Sequence, residues 1–189
     1  MRNRTSGTWM RRAGVVAAAV QVLVCAVAPP AARAVTQQSL ATFEVRTSPP
    51  AIPDEKKLRD LEDEALEEVN DERRDAGIPL LRMSPDLSRL AREYSREMVE
   101  RGFFDHQDPD GLRVDTRASR AGITWQFIGE NIARNRGFRN PANTAVKEWM
   151  KSAGHRENIL NDRYVETGIG AWIAPDRTVY FTQIFVQRT

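Results

Sequence analysis

Residues Glu148 to Leu160 read EWMKSAGHRENIL, and they place one of only two histidines of the chain beside the start of a helix. The spacing predicts a helix from His155 to Leu160, with Gly154 as its cap and Glu157 in its first turn. The positive end of a helix disfavours imidazolium, so this location favours a neutral ring that can coordinate a metal. The stretch therefore predicts a neutral histidine, able to bind a metal ion, at the start of a helix.

Outward from this stretch, apolar residues recur at helical spacing over much of the chain and give way to strand-like residues near its end. We predict helices from Leu58 to before Gly77, from Ser84 and Pro85 to near Gly102, from Val114 to Ala121, and from Asn140 and Pro141 onward. A hairpin is predicted from two runs of β-branched and aromatic residues, Gly168 to Ala174 and Thr178 to Gln187. Helices followed by strands indicate an α+β domain with helices packed on a sheet.

The first 34 residues follow the order basic, apolar, small that is typical of a secretion signal. The apolar run Val15 to Ala28 is shorter than the roughly 20 residues of a membrane helix, and Ala32 and Ala34 precede the predicted cleavage site. We predict a signal peptide over residues 1–34, a flexible linker over 35–57 and a folded domain over 58–189. The product would be secreted or held in the cell envelope, without a stable membrane span after cleavage. An uncleaved anchor or a lipoprotein attached through Cys25 is the alternative.

Removal of the signal changes the charge of the chain. Lys and Arg fall from 28 to 23 while Asp and Glu stay at 26, so the net charge moves from +2 to −3. No run of basic residues interleaved with aromatics remains, which argues against nucleic acid as a partner. The single cysteine leaves with the signal, so the domain must be stable without a disulfide.

Three stretches stand out as carriers of chemistry: FFDH (Phe103 to His106), GENIA (Gly129 to Ala133) and the stretch quoted first. Together with NDERRDAGIPLL and YFTQIF, they make the chain from about residue 58 to 189 resemble the CAP superfamily of SCP-like proteins. The likeness is to its exported bacterial members, which lack disulfides. This resemblance implies a three-layer α-β-α sandwich.

In animal and plant members of that family, a central cleft holds two histidines and two glutamates, and some members bind zinc or another divalent ion there. The resemblance places the histidines at His106 and His155 and one glutamate at Glu130. Ser152 stands where the second glutamate would be, although Glu148 lies one helical turn earlier on the same face. Two imidazoles and one carboxylate could give a tetrahedral zinc three ligands and leave one position for water. The predicted site comprises the metal ligands His106 and His155, the catalytic residue Glu130, and the cleft-lining residues Glu148, Ser152 and Asn131.

Three functions follow from these residues. The first is an exported binding module whose cleft takes a lipid, a cell-wall fragment or a peptide, with or without a divalent ion. The second is a zinc-assisted peptidase or esterase, in which Glu130 ligates the ion or accepts a proton from its water. The third is a structural surface protein. The missing second carboxylate favours binding over catalysis.

Overall fold

The computed structural model describes residues 53–188, which form five helices and four strands in this range. Their bounds are α1 Glu55–Asp75, β1 Arg82–Met83, α2 Pro85–Glu100, α3 Val114–Arg120, β2 Phe127–Asn135, α4 Pro141–Lys151, α5 Ala153–Leu160, β3 Glu166–Ile173 and β4 Val179–Gln187. The predicted signal peptide and most of the predicted linker lie outside the described residues. Asp54 caps α1 by accepting from the Lys56 amide at 2.9 Å. This helix therefore begins at Glu55, and residues 55–57 are helical instead of linker.

The four strands form one sheet in the order β1-β3-β4-β2. Strands β3 and β4 form the predicted hairpin, with Glu166 opposite Val186 and Ile173 opposite Val179. Strand β2 runs antiparallel to β4, and the short β1 runs parallel to β3. Neither β1 nor β2 was predicted from the sequence, and β2 is the strand that carries Glu130.

Helices cover both faces of this sheet, which confirms the predicted three-layer α-β-α arrangement. Ile169 and Ala171 of β3 are buried in one core with residues of α1 and α4. Helices α2 and α3 lie on the other face, where Leu87 and Ala118 pack against Ile184 of β4. The alternation of side chains along the strands thus gives the sheet buried apolar residues on both faces.

Helix α2 approaches β3 unusually closely, at two glycines of the strand. An added Cβ at Gly168 would lie 2.1 Å from the Leu87 carbonyl carbon, and one at Gly170 would lie 2.0 Å from the Arg92 nitrogen. Backbone atoms occupy the space that any side chain would need, so glycine is required at both positions. The close contact brings Ser95 of α2 within 2.9 Å of the Gly170 carbonyl oxygen, to which its hydroxyl donates.

Side chains form hydrogen bonds with backbone groups along both edges of the sheet. On β3, beyond its short pairing with β1, the Ala171 amide donates to Glu62 at 3.0 Å. On β2, the carbonyl of Ile132 accepts from the Trp149 indole at 2.9 Å, and the carbonyl of Glu130 accepts from Asn158 at 3.2 Å. These bonds tie α1, α4 and α5 to the edges of the sheet. Over residues 53–188, none of the helices has the length and apolar character needed to span a bilayer.

Candidate functional site

His106 and His155 lie side by side, although 49 residues separate them in the chain. Their ring centroids are 5.9 Å apart, with the ring planes inclined by 47°. His106 belongs to the loop between α2 and α3, and His155 is the third residue of α5. Both rings are half-buried, so each keeps one side open to solvent. Folding therefore brings two partly exposed imidazoles together.

Glu130 lies behind His106, with only 3% of its side chain exposed. Its Oε1 is 2.9 Å from His106 Nδ1, and its Oε2 accepts from the guanidinium of Arg117. A carboxylate at Nδ1 selects the tautomer that carries a proton there, which leaves the Nε2 lone pair for a ligand or an ion. Both oxygens of Glu130 are engaged, one by His106 and one by Arg117, so the carboxylate is placed to orient the His106 ring.

Arg117 is the functional residue that the sequence reading missed. It is buried, its Nη1 donates to the carbonyl of Leu112 at 3.0 Å, and its guanidinium carbon lies 3.4 Å from the centre of the Tyr94 ring. It supplies the positive charge that a buried carboxylate needs. Burial also raises the pKa of Tyr94 well above its ordinary value, so its hydroxyl remains a donor and bonds the Asp105 carbonyl at 2.6 Å. The Arg117 and Tyr94 side chains thereby fix the loop that holds His106.

Two asparagines join α5 to β2 beneath the histidines. The buried Asn131 donates to the carbonyl of His155 at 3.0 Å. Asn158 donates to the side-chain oxygen of Asn131 at 2.9 Å as well as to the Glu130 carbonyl. Both amides therefore hold backbone groups in place, and Asn131 lies under the site.

The helix that carries His155 begins earlier than predicted. Ser152 ends α4 and precedes the first residue of α5, so the two helices meet at a single corner. Ser152 is the N-cap of α5 and Gly154 is the second residue of the helix, so the prediction of a glycine cap was wrong. The hydroxyl of Ser152 makes no capping hydrogen bond. His155 therefore follows a corner between two helices instead of a glycine turn.

A buried guanidinium holds the other end of α5. Arg73 of α1 is fully buried and donates to the carbonyls of Ile159 at 2.6 Å, Asn161 at 2.9 Å and Tyr164 at 3.1 Å. These carbonyls belong to the end of the helix and the loop after it, where backbone oxygens lack partners within the helix. Arg73 therefore anchors the helix that presents His155.

Burial lowers the pKa of His155 below its ordinary value of 6.5, and the nearby His106 ring lowers it further. The lowered pKa agrees with the neutral His155 ring predicted from the sequence. Its causes are burial and the second imidazole, in place of the helix dipole invoked from the sequence. A neutral ring keeps a lone pair available for an ion at neutral pH.

This lowered pKa predicts a pH dependence of stability. Well above pH 6.5 the ring is neutral in both the folded and the unfolded chain and contributes nothing to the pH dependence. As the pH falls below that value, the unfolded chain binds a proton that the folded domain binds only at lower pH, so the free energy of unfolding falls. Urea denaturation between neutral and acidic pH should show a smaller decline for His155→Gln than for the unchanged protein. Equal declines in both proteins would contradict the assignment.

Two further acidic features of the described residues pair with cations. Glu148 is exposed and pairs with Lys151 at 2.8 Å. Within residues 53–188, one group of three acidic or metal-binding side chains converges, and it consists of Glu97, Asp108 and Asp110. Arg101 already bonds two of its members, at 2.5 Å and 2.8 Å. His106, Glu130 and His155 do not form such a group, although Glu130 and His106 are in contact.

A cavity of about 490 Å³ opens beside His106. Its walls combine the polar His106 and Asn158 with the apolar side chains of Trp125, Ile128 and Val114. Gly129 forms part of the wall, and an added Cβ there would lie 2.6 Å from the Tyr164 hydroxyl. The cleft therefore offers a ligand both hydrogen-bonding groups and an apolar surface.

Comparisons with known proteins agree with this architecture. The "Uncharacterized protein YkwD" of Bacillus subtilis is 40% identical over 110 residues, which is 58% of this chain and 41% of that protein. The crystal structure of an extracellular protein containing a SCP domain from Bacillus anthracis is 27% identical, covers 75% of this chain and 45% of that chain, and has a TM-score of 0.64. The present chain spans less than half the length of both. The crystal structure of NaASP2 with Zn²⁺ shares the fold at 15% identity and a TM-score of 0.51, over 71% of this chain and 83% of that chain.

The family described as "CAP: Cysteine-rich secretory protein family" matches residues 66–185. This range contains both histidines, Glu130, Arg117 and every strand except the end of β4. The match covers well over half of the chain and agrees with the three-layer fold. The chain therefore belongs to the CAP family of cysteine-rich secretory proteins.

Proposed function

We propose that this chain is an extracellular binding module whose cleft holds a divalent ion between His106 and His155 and presents that ion to an external ligand. The observation that carries the proposal is the pairing of the two rings at 5.9 Å, with the Glu130 carboxylate at Nδ1 of His106. A carboxylate behind a histidine is the usual outer support of a zinc ligand. The extracellular description of the Bacillus anthracis protein supports the location.

The donor set fits a borderline metal such as zinc. With Zn–N distances of 2.0–2.1 Å, two imidazoles on a tetrahedral ion have ring centroids about 5 Å apart. The observed 5.9 Å is close to this value, and a small rotation of either side chain would close the difference. A bound ion would supply positive charge and open coordination positions for an oxygen or nitrogen of the ligand. The Zn²⁺ named with the NaASP2 structure is consistent with such a site in this fold.

The walls of the cleft indicate what kind of ligand would bind beside the ion. Trp125 and Ile128 form an apolar wall next to His106, and Asn158 provides a polar group. A lipid, a cell-wall fragment or a peptide with one anionic group and one apolar group matches these walls. The anionic group would approach the histidines, and the apolar group would cover the tryptophan.

The same geometry gives no support to a metal-assisted hydrolase. Such a mechanism needs a carboxylate that can accept a proton from the water to be activated. The oxygens of Glu130 are engaged by His106 and Arg117. The carboxylate of Glu148 is exposed and forms an ion pair with Lys151. We therefore propose binding alone.

Calorimetric titration with zinc chloride tests the ion site. We expect one binding event per chain, lost in the His106→Ala/His155→Ala double variant. Glu130→Gln should weaken the affinity about 10- to 100-fold, because His106 loses the charge that orients it. Circular dichroism would establish that each variant is folded at the temperature of the titration.

Two other carboxylates provide matched controls for this titration. Glu148→Gln removes an acid near the same corner, and Glu97→Gln removes one from the acidic cluster. Neither substitution should change the affinity for zinc. Binding that survives the double histidine change, or that depends on Glu97, would place the ion elsewhere and overturn the proposal.

A further inference from the structure

A second groove lies at the opposite end of β2 from the histidine cleft. It has a volume of about 850 Å³ and runs between α1, the loop from β2 to α4, and the β3–β4 hairpin. Asn135 lies at this end of β2, which is about 17 Å along the strand from Glu130 at the usual rise per residue. This surface, which we call the loop face, is therefore separate from the proposed ion site.

An exposed aromatic side chain projects from the loop face. Phe138 is 56% exposed, the highest value among the large exposed hydrophobic residues of the described range. It lies between Arg136 and Arg139, both of which are exposed, in the sequence Arg136-Gly137-Phe138-Arg139. An exposed apolar tip flanked by cations is typical of a segment that enters the interface of an anionic membrane.

The hairpin adds a second loop to the same face. Arg136 pairs with Asp176 at 3.1 Å, which holds the β2–α4 loop beside the β3–β4 turn. Arg177 follows in that turn with a left-handed φ of 69°, a conformation that glycine adopts at lower cost. The turn thus keeps an arginine at its tip despite this backbone preference.

The charges that remain unpaired on the loop face are mainly positive. Of the carboxylates in its lining, Asp176 is paired with Arg136, and Asp60 is paired with Lys56 at 2.8 Å. Among the described residues, the lining side chains without an opposite charge within 4 Å are Lys57, Arg139 and Arg177 on the basic side and Glu64 on the acidic side. A negatively charged surface therefore complements this face even though the chain after residue 34 is acidic overall.

We propose that the loop face docks on an anionic lipid surface, with Phe138 in the interface and Lys57, Arg139 and Arg177 against the headgroup phosphates. Each cation near such a surface strengthens binding by about a factor of five, and an inserted aromatic ring adds an apolar contribution that a soluble polyanion could not provide. Docking in this orientation would leave the histidine cleft, at the other end of the strand, away from the lipid.

Vesicle co-sedimentation of the exported chain tests this docking. We compare phosphatidylcholine vesicles with mixed vesicles of phosphatidylcholine and phosphatidylglycerol. The unchanged protein should bind the mixed vesicles more tightly, and Arg139→Gln/Arg177→Gln should weaken that binding about thirty-fold. Phe138→Ala should weaken it about tenfold, whereas Phe138→Trp should retain it.

The matched control is Arg89→Gln/Arg120→Gln, which removes two exposed arginines outside the loop face. It changes the net charge equally and should leave vesicle binding within twofold of the unchanged protein. Because every variant carries the same N-terminal residues, any contribution from residues before Pro53 cancels. Equal losses in the two double variants, or no loss with Phe138→Ala, would overturn the proposal. Binding to soluble polyphosphate without binding to vesicles would also overturn it and would assign the face to an anionic polymer.

Discussion

Gly170→Ala is expected to lower the free energy of unfolding by about 3 kcal/mol, because the new methyl group meets backbone atoms that cannot move independently. The added Cβ would lie 2.0 Å from the Arg92 nitrogen and 2.3 Å from the Ala91 carbonyl carbon. Relief of this overlap requires α2 to move away from β3 as a unit. Such a movement would also stretch the bond from Ser95 to the Gly170 carbonyl and loosen the core around Ala91.

Urea denaturation followed by circular dichroism measures this loss. Gly154→Ala is a matched control, since it adds the same methyl group within a helix where nothing lies within 4 Å of the new atom. That control should raise the free energy of unfolding by about 0.5–1 kcal/mol, because alanine favours the helix over glycine. If Gly170→Ala changed stability by less than 1 kcal/mol, the close approach of α2 to the sheet would be incorrect.

Glu130→Leu is expected to cost about 3–5 kcal/mol of unfolding free energy, because it leaves Arg117 buried without an opposite charge. Glu130 and Arg117 are 6% and 7% exposed, so water cannot replace the missing carboxylate. The buried Arg117 Nε makes no hydrogen bond, which leaves the guanidinium dependent on the remaining partners. The loss should therefore be much larger than that of an exposed ion pair such as Lys151 with Glu148.

A double variant separates the charge effect from loss of packing. Glu130→Leu/Arg117→Met removes both charges and should recover most of the stability lost by Glu130→Leu, since apolar residues of similar volume replace buried ion pairs well. Thermal and urea unfolding of the two single variants and the double variant complete the cycle. Equal destabilisation in the single Glu130→Leu and the double variant would mean that cavity and shape effects, not the unpaired arginine, dominate.

The helices of this fold could be predicted because their signals are local. Pro85 and Pro141 each stand at the first helical position, as predicted, since proline fits that position without loss of a hydrogen bond. The β3–β4 hairpin could also be predicted, because its strands are rich in residues that favour a half-buried pleated surface. In these segments the sequence pattern and the packing require the same residue types.

Strand β2 could not be predicted from its pattern. Glu130 and Asn131 are adjacent in the chain and both buried, so the alternation of apolar and polar residues is absent. Their burial is stabilised by Arg117 and Asn158, which come from two different helices. Arg117 itself looks like a solvated residue of a short helix, and only its partner from β2 gives it a buried role. The two histidines were identified by resemblance, but the orientation of His106 depends on this long-range ion pair.

The hydrogen bonds along the edges of the sheet also bear on self-association of the domain at high concentration. An open strand edge can recruit a second chain and start aggregation. Here Glu62 accepts a hydrogen bond from an amide of β3, and Trp149 and Asn158 donate hydrogen bonds to carbonyls of β2. Loss of any of these side chains would free a backbone group for pairing with another strand, so the same contacts that position the helices also cover part of the sheet edges.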